Sequence, residues 1–241
     1  MNAQLSGATR RVEATVSLIS IALSVIALIL LPWPGLEGLL GTQSNWRWFG
    51  AWAALEAAWL VALLPGILAG DPILVRSTMR SAQIGLAGRA VTWLAAGAGL
   101  ALSELSWRSA PAALLIVVAL VMALPIALGW GPFGVLPGFR AGATEQAIDP
   151  EAAQLVNRAR LVRQIALVLA SFVFALPLAF LPSLAAWALL IAAGLFFAFG
   201  LSRLEGQWPR LTLPAALRFC WSRAFPLAVA AIIYVVILSW A

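Results

Sequence analysis

The run PAALLIVVALVMALPIALG, Pro111 to Gly129, holds nineteen residues without a charge. That is close to the roughly 20 residues a helix needs to cross a hydrocarbon layer. It is one of several such runs in a chain of 241 residues that is 63% hydrophobic and 10% charged, with a mean hydropathy of +0.99. A transmembrane barrel would show shorter, alternating segments instead. The sequence therefore predicts an all-α, polytopic integral membrane protein of about seven transmembrane helices, at about 15–33, 47–69, 82–103, 111–129, 164–181, 184–201 and 224–240. On this reading residues 1–14 are a cytoplasmic N-terminal segment. Residues 15–241 are a single transmembrane domain with cytoplasmic loops at about 70–81, 130–163 and 202–223.

Charge sets the expected orientation. Fifteen arginines, no lysines and nine acids give a net charge of +6. With Met1 inside, Arg10, Arg11, Arg76, Arg80, Arg140, Arg158, Arg160, Arg163, Arg203, Arg210, Arg218 and Arg223 all fall on the cytoplasmic side. Only Arg47 and Arg108 fall outside. This is the positive-inside bias of an N-in, C-out protein. It accounts for the basic excess without a nucleic-acid partner. The first apolar run has no small-residue cleavage site and reads as a retained span rather than a removed signal.

Histidine is absent and Cys220 is the single cysteine. That removes an intrachain disulfide, the usual axial ligands of haem b and the common zinc ligands, and so argues against a cytochrome or a zinc protease. No phosphate-binding glycine motif occurs. Gly85, Gly88, Gly97 and Gly99 cluster in the third span, where small-residue spacing points to close helix packing. The twelve tryptophans lie mostly near expected interfaces and suit an aromatic belt.

Two charges lie within spans, Glu56 and Arg89. An ionisable group at such depth costs about 2.5–3.5 kcal/mol on insertion scales, so it faces protein or water and finds a partner. One reading has both residues facing the bundle interior as a polar path, and pairing. The competing reading leaves Arg89 reaching to the cytoplasmic face and Glu56 simply protonated.

The longest polar passage is GATEQAIDPEAAQLVNRARLVR, Gly142 to Arg163. Asp149 suits an N-cap, Pro150 the first helical position, and Glu151 the positive end of the helix dipole. From there the chain runs without a breaker into the fifth span. Arg158, Arg160 and Arg163 are expected at the depth where cationic side chains reach the headgroups.

The C-terminal passage WPRLTLPAALRFCWSRAFPLAVA carries Pro209, Arg210, Leu217, Trp221, Pro226, Leu227 and Ala228. In this order they resemble the last loop and last helix of the H-type membrane subunit of respiratory complex I and the membrane-bound hydrogenases, the NuoH-like family. Arg80, Ser81, Ala82 and Gln83 are similar to that family's entry to its fourth helix. Glu145, Asp149 and Glu151 stand where it has an acidic loop. The family's first helix has no counterpart here, and Arg89 follows an uncharged segment where the family has an acid. Asn157, Arg158, Arg160 and Arg163 stand where it carries further carboxylates.

The resemblance implies a membrane-anchoring subunit of a redox-driven, ion-translocating complex in the inner (cytoplasmic) membrane. Such a subunit is itself non-catalytic. It binds no cofactor directly, although a quinone at a subunit interface belongs to the family's chemistry. Its partners are membrane lipid, other membrane subunits and a cytoplasmic redox module, with Arg80, Glu145, Asp149, Glu151, Arg158 and Arg210 as docking residues. The alternatives are a permease or exporter component, for which the intramembrane Glu56 and Arg89 speak, and an accessory subunit of another respiratory or photosynthetic membrane complex.

Overall fold

The computed structural model describes residues 2–35, 46–68, 72–102, 106–133, 150–176, 178, 181–197 and 211–240. Seven helices carry the described chain: α1 (Asn2–Leu30), α2 (Trp46–Leu68), α3 (Pro72–Leu100), α4 (Ala110–Leu128), α5 (Pro150–Ala175), α6 (Ser183–Leu195) and α7 (Leu213–Trp240). No strand occurs among the described residues. Among the described residues, four segments are long and apolar enough to cross a membrane by length and composition: Val12–Leu30, Arg47–Leu68, Ala110–Phe133 and Leu213–Trp240. The fold is all-α and that of a multi-pass membrane protein.

Helix ends differ from the expected spans wherever polarity and helicity part company. Segment 70–81, expected as a connection, is helical from Pro72 onward. Pro72 suits a first helical position, and no breaker follows it. Arg76, Thr78 and Arg80 are polar but compatible with a helix, and Thr78 Oγ1 donates back to the Leu74 carbonyl at 2.8 Å. Likewise α5 starts at Pro150, inside the expected 130–163 connection, and α7 starts at Leu213, inside 202–223. Asp149, the expected cap of α5, lies outside the described residues. At its other end α5 stops at Ala175, six residues before the expected 181. Pro177 cannot donate a backbone hydrogen bond and disfavours helical geometry at Leu176.

Two compact units emerge. The first comprises α1, α2, the start of α3 through Ala82 and α5 through Leu167. The second comprises the rest of α3 from Gln83, α4, the end of α5 from Val168, α6 and α7, with the residues that follow α1.

In the first unit α1 and α2 pack closely: a Cβ at Gly50 would lie 3.3 Å from Leu30 Cδ1. Beyond Pro65, Gly66 leaves room for Thr78 at the start of α3, whose Cβ would be 3.1 Å from a side chain placed there.

The second unit is built on small residues. A Cβ at Gly88 would sit 2.7 Å from Ala127 Cα and 2.8 Å from Ile126 C, so α3 and α4 touch backbone to backbone. A Cβ at Gly99 would sit 2.6 Å from Ala175 C, which brings α3 equally close to α5. Between apolar helices in lipid the attraction is dispersion, and it grows as backbones approach. Val91, Ala95, Ile116, Leu120, Leu124 and Leu190 fill the interior at 0–1% exposure. Thr92 satisfies its hydroxyl within its own helix, on Gly88 O at 2.9 Å.

α4 ends in a left-handed turn. Gly129 has φ 64° and ψ 41°; its N–H reaches Ile126 O at 3.2 Å, and Trp130 N–H reaches Pro125 O at 2.8 Å. These are the two bonds of a Schellman cap, with glycine at the position that has no Cβ penalty. The turn Gly131–Phe133 then receives the start of α7: Leu211 N–H donates to Pro132 O at 2.9 Å, and Phe133 meets Phe219 at 5.6 Å. The residues after α1 are fixed within the same unit. Trp33 stacks on Trp187 at 5.2 Å and 6°, and Trp187 Nε1 donates to Pro34 O at 3.1 Å.

The glycines of α3 separate by environment. Gly88→Ala and Gly99→Ala are expected to lower stability in detergent by about 1–3 kcal/mol through overpacking. Gly97→Ala, at a position with nothing within 4 Å, is expected to be neutral or slightly stabilising. Thermal unfolding of the three purified variants checks this, and equal behaviour of all three contradicts the packing described.

Candidate functional site: a polar column in the first unit

α1 carries a polar stripe on its buried face. Glu13, Ser17, Ser20 and Ser24 are spaced by four, three and four residues, and Ala27 and Leu31 continue the same line. Exposures of 8%, 7%, 0% and 0% place all four polar residues against protein rather than lipid. At 1.5 Å per residue the column extends roughly 16 Å along the helix.

Ser20 ties three helices together. Its Oγ donates to the Ala58 carbonyl of α2 at 3.0 Å and accepts from Arg163 Nη1 of α5 at 2.9 Å. Ser24 Oγ donates to Ser20 O at 2.8 Å, which keeps that hydroxyl satisfied inside α1. Ala58 lies near the centre of the apolar segment Arg47–Leu68. The guanidinium of Arg163 therefore stands near the middle of that span.

This corrects the expectation for Arg163. Arg158 and Arg160 are exposed, but Arg163 is half-buried and turns inward. The reason lies in the face of α5 that each arginine occupies: Arg163 is on the side that packs against α1, whereas Arg158 and Arg160 are not. Arg163 also falls on one face with Ala159, Ala166 and Ala170, all at 0–3% exposure. Gln164, beside it, is buried at 7%.

Chemically the column holds the Arg163 guanidinium through the Ser20 hydroxyl, which is itself anchored on the Ala58 carbonyl. It also presents one carboxyl, Glu13, seven residues from Ser20 along the same face. From the sequence, Glu13 falls in the N-terminal segment ahead of the first span. Its spacing with the three serines was the available signal, but single serines in an apolar run do not stand out by hydropathy.

The residues singled out from sequence are distributed as follows. Glu56 is half-buried on α2 in the first unit, and Arg89 is buried at 3% on α3 in the second. Arg80 is half-buried on α3 and Arg158 exposed on α5. Glu151 lies in the first turn of α5. Glu145, Asp149 and Arg210 lie outside the described residues.

No protein-family profile matches the chain, and no curated protein matches it at a significant level. Among solved structures, the chain is similar to one in the structure of the membrane-bound sulfane sulfur reductase, an archaeal respiratory membrane complex. The match covers 93% of this chain and 79% of that chain, with a TM-score of 0.65 and 16% sequence identity. At that identity the likeness is one of fold.

The Ser20 contact is measurable. A double-mutant cycle with Ser20→Ala and Arg163→Ala is expected to give a coupling between about 0.6 kcal/mol, the average for interhelical hydrogen bonds in a membrane protein, and about 1.7 kcal/mol, the largest of them. Additive effects in denaturation of the purified variants contradict the contact.

Proposed function

We propose that the chain is a membrane subunit of a complex I-like or membrane-bound hydrogenase-like redox assembly in the inner (cytoplasmic) membrane. The observation that carries this reading is a fold shared over 93% of the chain with a chain of an archaeal respiratory membrane complex. The C-terminal resemblance supports it from a separate direction. Of that motif, Leu217, Trp221, Pro226, Leu227 and Ala228 all lie on α7, whose start is bonded to the turn after α4.

The role in this proposal is positional. The chain holds a cytoplasmic redox module beside other membrane subunits, and redox cofactors belong to that module. Arg80, Arg158 and Arg210, with Glu145, Asp149 and Glu151, serve as docking groups on the cytoplasmic side, where the N-terminus also lies. A quinone belongs, if anywhere, at an interface with a neighbouring subunit. The carboxylates that the NuoH-like family carries after its acidic loop are replaced here by Asn157, Arg158, Arg160 and Arg163. Docking is therefore favoured over proton coupling as the retained task. Glu56, half-buried in an apolar helix, joins a polar path within the membrane in this proposal.

Purification of the tagged chain in mild detergent tests the proposal. Hydrogenase-like or quinone-reductase-like chains with iron–sulfur absorption are expected to co-elute, whereas a lone ATPase partner contradicts it. In the intact assembly, Glu56→Gln is expected to lower complex yield or turnover. If both stay unchanged, Glu56 has no part in a polar path.

A further inference from the structure

α7 is not a plain helix where it approaches its apolar stretch. Residues Cys220–Ala224 form one π turn, in which Phe225 N–H donates to Cys220 O, five residues back. Pro226 explains it: the ring has no N–H and would clash with the carbonyl four residues earlier, so the helix widens by one residue ahead of it. In an α-helix the Trp221 and Ser222 carbonyls would receive the N–H groups of residues 225 and 226. Here the first of these donors is bonded elsewhere and the second does not exist.

The side chains around this notch are polar and face outward. Arg218, Trp221, Ser222 and Arg223 are all exposed, Trp221 by 48% with its ring against Phe225 at 5.1 Å. In a turn closed five residues back, positions four and five apart lie on the same side, so Ser222 and Arg223 share a side with Arg218. Residues 224–241 carry no charge. An uncharged stretch of that length is close to the roughly 20 residues of a span, which sets the notch at headgroup depth. Carbonyls without an intrahelical donor at headgroup depth are open to donors from water or from a lipid headgroup.

We propose that Arg218, Trp221, Ser222 and Arg223 form a binding site for the headgroup of an anionic phosphoglyceride. The phosphodiester takes the two guanidinium groups, the Trp221 Nε1–H and the Ser222 hydroxyl as donors. The glycerol hydroxyls of the headgroup supply donors for the Trp221 and Ser222 carbonyls. A headgroup that carries both a negative phosphate and hydroxyl donors fits this pattern. A choline headgroup, with no donor and no net charge, does not. The site is independent of the assembly proposed above.

The test is lipid retention by the purified full chain. The chain is reconstituted in vesicles of phosphatidylcholine, phosphatidylethanolamine and phosphatidylglycerol, re-extracted, and its bound lipid counted by native mass spectrometry. Wild type is expected to retain phosphatidylglycerol selectively. Arg218→Gln with Arg223→Gln is expected to lower that retention about tenfold. Arg76→Gln with Arg108→Gln removes the same charge at two other exposed arginines and is expected to leave retention unchanged. Trp221→Phe keeps the ring and loses its donor, so it is expected to weaken retention in a chain whose charge is intact. Equal loss in both double variants overturns the proposal, because it marks a diffuse charge effect. Equal retention of phosphatidylethanolamine by wild type also overturns it, as does a cross-link from position 223 to a neighbouring subunit's carboxylate with no lipid retained.

Discussion

A guanidinium inside a hydrocarbon layer must be solvated by the protein, and the hydrogen bond from Arg163 to Ser20 does this near the centre of a membrane span. The same hydroxyl donates to Ala58 O, so one oxygen joins α1, α2 and α5. In water such a group would be one polar contact among many. In lipid the alternatives are an unpaired charge or a deformed bilayer, and these set a strong preference for a single register among three helices. The serines on either side of Ser20 and the buried Glu13 follow from the same constraint, since each must occupy the protein-facing side of α1.

The second unit meets the lipid environment with different means. Its helices approach through Gly88 and Gly99 until backbones touch, and the buried Thr92 hydroxyl is satisfied within its own helix. Where the chain must leave helical geometry, the devices are local: the glycine cap after Leu128, and the wide turn ahead of Pro226. A buried arginine, Arg89, nevertheless sits within this unit.

Much of the fold was legible because apolar length is a strong signal: every expected span overlaps a helix. Helix ends were less legible, because polar residues such as Arg76 and Arg80 continue a helix as readily as they end a span. The termination of α5 at Ala175 was visible in Pro177. The polar column was harder. Ser17, Ser20 and Ser24 are common in membrane helices, and only their spacing with Glu13 marks them as one face. The bond from Ser20 to Arg163 spans 143 positions of sequence, and no local pattern announces it. The wide turn in α7 had a visible cause in Pro226, although a proline near a helix start is more often a simple first-turn residue.

A shared fold at 16% identity bears on architecture alone, and the subunit role proposed above adds the C-terminal resemblance to it. Electron cryomicroscopy of the assembly purified from native membranes tests that claim most directly. The account predicts this chain embedded between membrane subunits, with an iron–sulfur-bearing module seated on the side that carries the Pro150 end of α5. A chain found alone, or as a symmetric pair beneath an ATPase, contradicts it.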